Sequence, residues 1–349
     1  MNMGKAVGFP HSHERLFMEI YTPEYYHQFR CLASACPDSC CKEWEVDVDA
    51  CAAAYYRALP GPLGDRLRQV LRDEDDCTLM TITDGRCPMW RQDGLCRIQA
   101  ELGHDALCQV CREFPRLRHD YGNFVELGLE LSCPEAARLI FASPSHCMAV
   151  ETVAGGDAPE YDMEVMQILR RSRETALDFL ESKQYPLGQS LAILLLYGHA
   201  VQSEIDGADE AVFQSDTLLA DAREYAEPNS PETLFAFFRN LEILTEQWRH
   251  RLSCAKPCGW QEVLRPLARY GIQRYWLQAV SDYDLICRVK LIVAACLLVN
   301  GMGGDPVQTA QLFSKEVENN SDNVDTILDA AYTSPAFTDV YLLSLLLNP

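Results

Sequence analysis

The stretch F-R-C-L-A-S-A-C-P-D-S-C-C-K-E-W, residues 29–44, carries four cysteines within eleven positions: Cys31, Cys36, Cys40 and Cys41. Thiols this dense are typical of a disulfide framework or a metal site. The P-D-S segment between Cys36 and Cys40 is turn-forming, so the chain there can point several sulfurs at one centre. The stretch therefore predicts a loop organised around its sulfur atoms.

The cysteine distribution favours metal over disulfides. With 349 residues, of which 48% are hydrophobic, the chain is large enough to build a core without disulfide staples. Eleven of the 16 cysteines lie between residues 31 and 133, and the other five are scattered. A disulfide framework would not leave most of the chain without bridges. We therefore expect the clustered thiols to bind metal.

Two further patterns concern the compartment. The first fifteen residues have a basic start but no long apolar run after it, so they do not resemble a secretory signal. The longest apolar run, residues 291–299, is about half of the roughly 20 residues that a membrane-spanning helix needs, and it predicts a buried helix. These patterns predict a cytoplasmic protein that does not enter a membrane.

The formal net charge of −21 argues against binding to nucleic acid, which depends on Lys and Arg side chains. Residues 1–150 contribute −7 and residues 151–349 contribute −14. An acidic surface can attract a cationic partner, such as a lysine-bearing protein, or it can serve solubility alone.

Hydrophobic periodicity predicts an α+β fold that is mainly α, with a cysteine-rich metal-binding domain at 1–150 and an acidic helical bundle at 160–349. The A-G-G-D-A-P segment, residues 154–159, is the predicted linker. In the first domain we expect strands at 16–21, 78–83 and 123–131. We expect helix at 49–76, interrupted at P-G-P-L-G (60–64), and further helices at 98–110 and from Pro134 onward. Asp84-Gly85 and Asp93-Gly94 predict turns of a hairpin with Cys87 and Cys96 on its arms. In the second domain we expect helices at 163–180, 187–205, 233–252, 283–299 and 307–317.

The spacing of the cysteines is typical of a thiolate metal centre. A tetrahedral zinc ion or a cubane iron–sulfur cluster needs about four converging thiolates. Spacing selects Cys31, Cys36, Cys40, Cys87, Cys96 and Cys111 first, and leaves Cys41, Cys108 and Cys133 open. Nine thiols exceed one mononuclear site, so the chain predicts either one cluster enclosed by extra thiols or two metal centres. The isolated residues Cys51, Cys77, Cys147, Cys287 and Cys296 are expected to be small buried side chains, and Cys254 with Cys258 forms a weak second pair.

Several other kinds of site are excluded because the chain lacks their motifs. The bacterial ferredoxin run is absent, and the third cysteine of a radical-generating C-x3-C-x2-C motif would fall at position 43, which is Glu43. The chain has no P-loop, no G-x-S-x-G and no H-E-x-x-H.

Five blocks of sequence resemble the flagellin lysine-N-methylase family of bacteria, itself similar to a wider group of zinc- or iron-chelating cysteine-cluster domains. The blocks are P-E-Y-Y-H-Q-F-R-C (23–31), C-P-D-S-C-C-K-E-W (36–44), C-P…D-G-L-C-R-I-Q-A-E-L-G (87–103), C-R-E-F-P-R (111–116) and L-S-C-P-E-A-A-R-L (131–139). They span roughly the first 145 residues in order, whereas the helical remainder is similar only in general character.

The resemblance implies a metal-binding set of Cys31, Cys36, Cys40, Cys41, Cys87, Cys96, Cys111 and Cys133. It also implies a 4Fe-4S cluster, S-adenosylmethionine as methyl donor, and lysines of flagellin as substrate. Spacing alone indicates only a thiolate-rich metal site, so zinc stays open as the metal, and a non-catalytic interaction or redox protein stays open as the function. A lysine must lose its proton before it can attack a methyl group, and Tyr25, Tyr26, Glu113 and Tyr121 are candidate bases near the cysteines.

Overall fold

The computed structural model describes residues 17–74, 77–256 and 259–348. These residues confirm the predicted class, an α+β fold that is mainly α. No helix among them is long and apolar enough to cross a bilayer.

The strands form two small sheets, and both are built by the first half of the chain. In the larger sheet, of order β5-β6-β1-β7, β1 runs parallel to β6 and antiparallel to β7. The smaller sheet has the order β2-β4-β3 and is antiparallel. The strands are β1 (Phe17–Pro23), β2 (Val46–Asp47), β3 (Leu71–Glu74), β4 (Cys77–Met80), β5 (Arg116–Asp120), β6 (Phe124–Leu129) and β7 (Met148–Ala154).

Helices supply the rest of the regular structure. The first five are short and alternate with the strands: α1 (Ala50–Ala58), α2 (Gly61–Val70), α3 (Arg97–Leu102), α4 (Gln109–Glu113) and α5 (Pro134–Ala142). The others pack as a helical bundle: α6 (Met163–Ser182), α7 (Leu187–Ile205), α8 (Ser215–Tyr225), α9 (Glu232–Arg239), α10 (Glu246–Cys254), α11 (Arg265–Tyr275), α12 (Ile286–Met302), α13 (Pro306–Phe313), α14 (Ser321–Thr333) and α15 (Asp339–Leu347). A π-helical segment, Ser314–Glu318, continues α13.

Three predicted helices are wrong in extent. The acidic end of the predicted 49–76 helix is strand β3, which pairs with β4. The predicted 98–110 helix is broken after α3, where Gly103 has φ 90°, and resumes only at α4. The predicted 233–252 helix is two helices, because Thr245 accepts a hydrogen bond from the Trp248 amide at 3.1 Å and starts α10 as a new N-cap.

The buried residues form two hydrophobic clusters. The smaller core is built from residues 46–108, that is, from β2 to the start of α4, and it includes Tyr56, Leu67 and Met89. The larger core contains residues of β6, of α5 and of the helical bundle. It therefore includes residues that precede the 154–159 segment and residues that follow it. The division into domains 1–150 and 160–349 stays a prediction.

The isolated cysteines were predicted as buried, and the prediction holds for only part of the set. Cys287 and Cys296 lie on the buried helix α12, as expected. Cys51, Cys77 and Cys147 are exposed, because each lies on a surface-facing position of a short element or loop. Cys258 lies outside the described residues.

Candidate metal centre

Backbone contacts bring the 29–44 stretch against the segment that carries Cys87. The Cys87 amide donates to the Cys41 carbonyl at 2.8 Å, and the Glu43 amide donates to the Gly85 carbonyl at 3.0 Å. Asp84 and Gly85 both have positive φ, which confirms the turn predicted there. The turn lets the chain reverse, and the two cysteine segments then run side by side.

The predicted hairpin around Cys96 is present only as isolated contacts. Trp90 and Cys96 form a single bridge, and the Arg97 amide donates to the Met89 carbonyl at 2.7 Å. The chain between them is tight, with Gly94 at φ 79°. Cys87 and Cys96 therefore approach each other through turns and not through a regular ladder.

Cys108 and Cys111 enter the centre from the start of α4. Cys108 occupies the N-cap position of this helix, and Asp49 accepts a hydrogen bond from the Gln109 amide at 2.8 Å. The other carboxylate oxygen of Asp49 caps α1 by accepting from the Ala52 amide at 2.9 Å. One side chain thus ties α1 to the helix that carries two thiols.

Six thiols lie close enough to change one another's ionisation, and we call them the first thiol group: Cys40, Cys41, Cys87, Cys96, Cys108 and Cys111. Cys41 makes hydrogen bonds to the sulfurs of Cys40 and Cys87, which lower the pKa of these two thiols and raise the pKa of Cys41. A hydrogen bond from Cys111 likewise lowers the pKa of Cys108 to about 7 and raises that of Cys111.

The remaining predicted ligands, Cys31, Cys36 and Cys133, form a second thiol group. Burial, with a smaller effect of the nearby sulfurs of Cys36 and Cys31, raises the pKa of Cys133 to about 12. Burial also raises the pKa of Cys36, and both Cys31 and Cys40 add to that rise. Cys36 therefore neighbours both groups. The eight predicted ligands are thus linked through Cys36 and Cys40, and their role as ligands stays a prediction.

The chemistry of the first thiol group suits a metal. Without a cation, the group can ionise only in part, because each thiolate repels the next and Cys41 and Cys111 retain their protons to bridge the others. A metal ion removes this repulsion and takes thiolate ligands directly. Cys108, which spacing left open and the resemblance did not include, is a full member of the group. Its C-x-x-C spacing to Cys111 was the signal that could have identified it.

A buried lysine from the helical bundle contacts the cysteine loop. The Lys315 side chain is only 2% exposed, and its Nζ lies 3.0 Å from Asp38 Oδ2 and 2.5 Å from Glu43 Oε2. Glu43 has φ 74°, a conformation that costs energy for a residue other than glycine and is held here by its contacts. Lys315 lies on the π-helical segment, a distortion often found at functional sites. Sequence reasoning missed this contact because no local pattern links residues 38 and 315.

The candidate bases differ in how easily they could accept a proton. Burial raises the pKa of Tyr25 to about 12, and burial also raises the pKa of Tyr121. Both phenols are therefore protonated near neutral pH and are poor bases. Burial raises the pKa of Glu130, which lies three residues before Cys133, and of Glu316, which follows Lys315. Sequence reasoning missed these two carboxylates among the 51 acidic residues of the chain.

The contribution of Asp49 to the stability of the fold depends on pH. Hydrogen bonds from the Gln109 and Ala52 amides lower the pKa of Asp49 in the folded protein. A lowered folded pKa means that the stabilisation is present above the unfolded pKa, about 3.9, and is lost as the pH falls through the folded value. We expect Asp49→Ala to destabilise the protein by about 1 kcal/mol at neutral pH, the usual cost of losing an N-cap. The difference from the native protein should shrink below pH 4, as measured by urea unfolding.

The matched control is Asp65→Ala, which removes an exposed carboxylate that pairs with Arg68 on the surface. We expect Asp65→Ala to lower the free energy of unfolding much less than Asp49→Ala does. The rate of hydrogen exchange at the Gln109 amide should rise only in the Asp49 variant. Equal destabilisation by the two substitutions would contradict the role assigned to Asp49.

Comparison with known proteins places the chain among flagellar and methylase relatives. It is 30% identical over 180 residues to the flagellar biosynthetic protein FliU of Salmonella muenchen, a match that covers 48% of this chain and 95% of that protein. It is 34% identical over 132 residues to a lysine-N-methylase of Salmonella typhimurium and 33% identical over 132 residues to one of Salmonella choleraesuis. Each of these two matches covers 36% of this chain and 33% of the methylase, so the chain matches about a third of the methylases' length.

No family profile matches the chain, and no solved structure matches it. The relationship therefore rests on the curated relatives, and the FliU match extends over nearly the whole of that protein. The resemblance that the five sequence blocks indicated is confirmed: the chain belongs to the family of the flagellar protein FliU and the lysine-N-methylases.

Proposed function

We propose that this protein is a protein-lysine N-methyltransferase that uses S-adenosylmethionine, carries an iron–sulfur cluster and acts on flagellin. The observation that carries the proposal is the similarity to two proteins named lysine-N-methylase. The similarity to a protein named for flagellar biosynthesis supports flagellin as the substrate. The chain's net charge of −21 suits a partner that presents lysine side chains.

The donor set of the first thiol group fits an iron–sulfur cluster. A 4Fe-4S cluster is held by about four cysteine thiolates, and this group offers six. Bound there, the cluster would supply iron sites with Lewis-acid and redox character. Cys40, Cys87 and Cys108, whose pKa values are lowered by their neighbours, are the thiols most ready to act as ligands.

The second thiol group extends the donor set toward α5. Cys31, Cys36 and Cys133 either enclose the same cluster or hold a second metal, and metal content distinguishes the two arrangements. About four iron atoms per chain support a single cluster, and a larger number or added zinc supports two centres.

Polar residues of this protein would take the proton from the substrate lysine. An ammonium group with a pKa of about 10.4 must be desolvated or meet a base before it can attack a methyl sulfonium. Glu316 is buried and Glu130 is half-buried, and the raised pKa of each suits proton acceptance closer to neutral pH. Glu130 precedes Cys133 by three residues and Glu316 follows Lys315, so they are the first carboxylates to test.

Methyl transfer can be measured directly. The full chain, purified without oxygen, is incubated with flagellin and methyl-labelled S-adenosylmethionine, and the label on lysine is located by mass spectrometry. We expect label on lysine with the native protein and with Cys51→Ser, and at least a tenfold loss with Cys87→Ser. Flagellin with chemically blocked lysines is the substrate control.

The other possible functions give different results in the same experiment. A brown protein that transfers no label would indicate a redox protein and overturn the methyltransferase assignment. A colourless protein that holds stoichiometric zinc and transfers no label would indicate a non-catalytic interaction protein, and would overturn the iron–sulfur assignment as well.

A further inference from the structure

A histidine outside the cysteine region lies among three carboxylates of helix α6. His146 belongs to the loop between α5 and β7, and its side chain is only 9% exposed. Its Nε2 lies 3.3 Å from Glu174 Oε1 and 3.7 Å from Asp178 Oδ1. Its Nδ1 lies 2.9 Å from Glu181 Oε2. The three acidic residues follow one another at i, i+4 and i+7, so they share one face of α6.

The loop that carries His146 is held in place by helix α11. Gln273 donates to the His146 carbonyl at 3.1 Å, and Arg269 donates to the Ser143 carbonyl at 2.7 Å. Arg269 also lies 3.4 Å from the Glu181 carboxylate. The backbone that carries the imidazole is therefore held by α11, opposite the carboxylates of α6 that the ring contacts.

The ring cannot satisfy its acidic neighbours in its neutral form. A neutral imidazole has one N–H and one lone-pair nitrogen, and a carboxylate can only accept hydrogen bonds. One ring nitrogen must then face a carboxylate lone pair, and the buried Nδ1 makes no hydrogen bond even though Glu181 is 2.9 Å away. A metal ion bound at Nε2 would place the ring proton on Nδ1, next to the Glu181 carboxylate.

The distances match a metal site. His146 Nε2 and one oxygen each from Glu174 and Asp178 all lie within 4.8 Å of one another. Ligands that bind a single ion at about 2.1 Å are separated by roughly 3 to 3.5 Å, close to the 3.3 and 3.7 Å seen from Nε2. Glu181, on the opposite ring nitrogen, takes the place of the carboxylate that commonly supports a metal-bound histidine.

We propose that His146, Glu174 and Asp178 bind a divalent transition-metal ion, with Glu181 supporting the imidazole. Because Glu174 and Asp178 are 65% and 71% exposed, the ion exchanges with solvent and its remaining positions hold water. One nitrogen and two oxygens favour an ion such as Mn²⁺ over one that prefers thiolates. The site is chemically distinct from the thiol groups, and it does not depend on the proposed methyltransferase activity.

Mn²⁺ is the probe for this site, because it has little affinity for thiolates. The full chain, with its cysteine centre loaded, is titrated with Mn²⁺ while the signal of the free ion is followed by electron paramagnetic resonance. We expect one saturable Mn²⁺ site per chain in the native protein. Glu174→Gln and Asp178→Asn should each weaken binding at least tenfold, and Glu181→Gln should weaken it by roughly 10- to 100-fold, as for other carboxylates that support a metal-bound histidine.

The control is Glu164→Gln, which removes an exposed carboxylate of the same helix away from His146. It should bind Mn²⁺ like the native protein. Since Glu174 and Asp178 are exposed, their substitutions leave the packing intact, and unchanged melting temperatures in the absence of metal verify this. Absence of saturable binding, or equal binding by all four variants, would overturn the proposal.

Discussion

Cys87→Ser is expected to remove the metal that we propose for the first thiol group and to destabilise the smaller core. Cys87 is 7% exposed, and its sulfur contacts the sulfur of Met80 at 3.4 Å, so the residue lies both in the thiol group and in that core. A serine hydroxyl is a poor metal ligand, and metal affinity in such centres is also folding free energy. If the loss of the metal costs about 3 kcal/mol or more of folding free energy, the melting temperature should fall by several degrees.

Metal analysis and calorimetry on anaerobically purified protein measure the two effects. The matched control is Cys51→Ser, because Cys51 is exposed on the first turn of α1 and lies outside both thiol groups. The control should keep its metal and its melting temperature. Equal metal content in the native protein and in Cys87→Ser would show that the first thiol group is not the metal centre.

Lys315→Met is expected to cost about 3 kcal/mol of folding free energy. The substitution removes the cation from between Asp38 and Glu43, and breaking a buried ion pair by removing one partner typically costs about 3 to 5 kcal/mol. The lower end applies here because the two carboxylates are 23% and 33% exposed and regain some solvent. The cost should appear in urea unfolding, and it should be accompanied by weaker metal retention if the 36–44 loop loses its position.

Lys42→Met is the matched control, since Lys42 pairs with the same Asp38, with Nζ 3.5 Å from Oδ1, but its side chain is 27% exposed against 2% for Lys315. A pair whose cation keeps this much contact with solvent contributes roughly 0 to 1 kcal/mol. Adding Asp38→Asn to Lys315→Met should restore part of the lost stability, because it removes one of the two carboxylates left without a cation. A cost for Lys315→Met no greater than that for Lys42→Met would contradict the role assigned to the buried lysine.

Elements with strong local signals were predicted well from the sequence. Helix α7 has the predicted bounds, and α6 begins where it was expected, because the apolar spacing of each is regular and its ends carry Pro or Asp. Pro134 opens α5 as predicted, since proline fits the first turn of a helix. Strands β5 and β7 were missed, because their pairing partners β6 and β1 supply the hydrogen bonds that define them.

Local sequence features are enough to predict a thiol-rich region and an acidic helical bundle, because cysteine spacing, turn residues and helical periodicity act over a few positions along the chain. Packing between distant elements, in contrast, decided which thiols lie close together, and it placed Cys108 beside Cys111 and Cys87. It also decided that Lys315 meets Asp38 across 277 positions and that His146 meets the acidic face of α6. These contacts depend on how separate elements pack, and the charge and burial that give each side chain its chemistry exist only once that packing is complete.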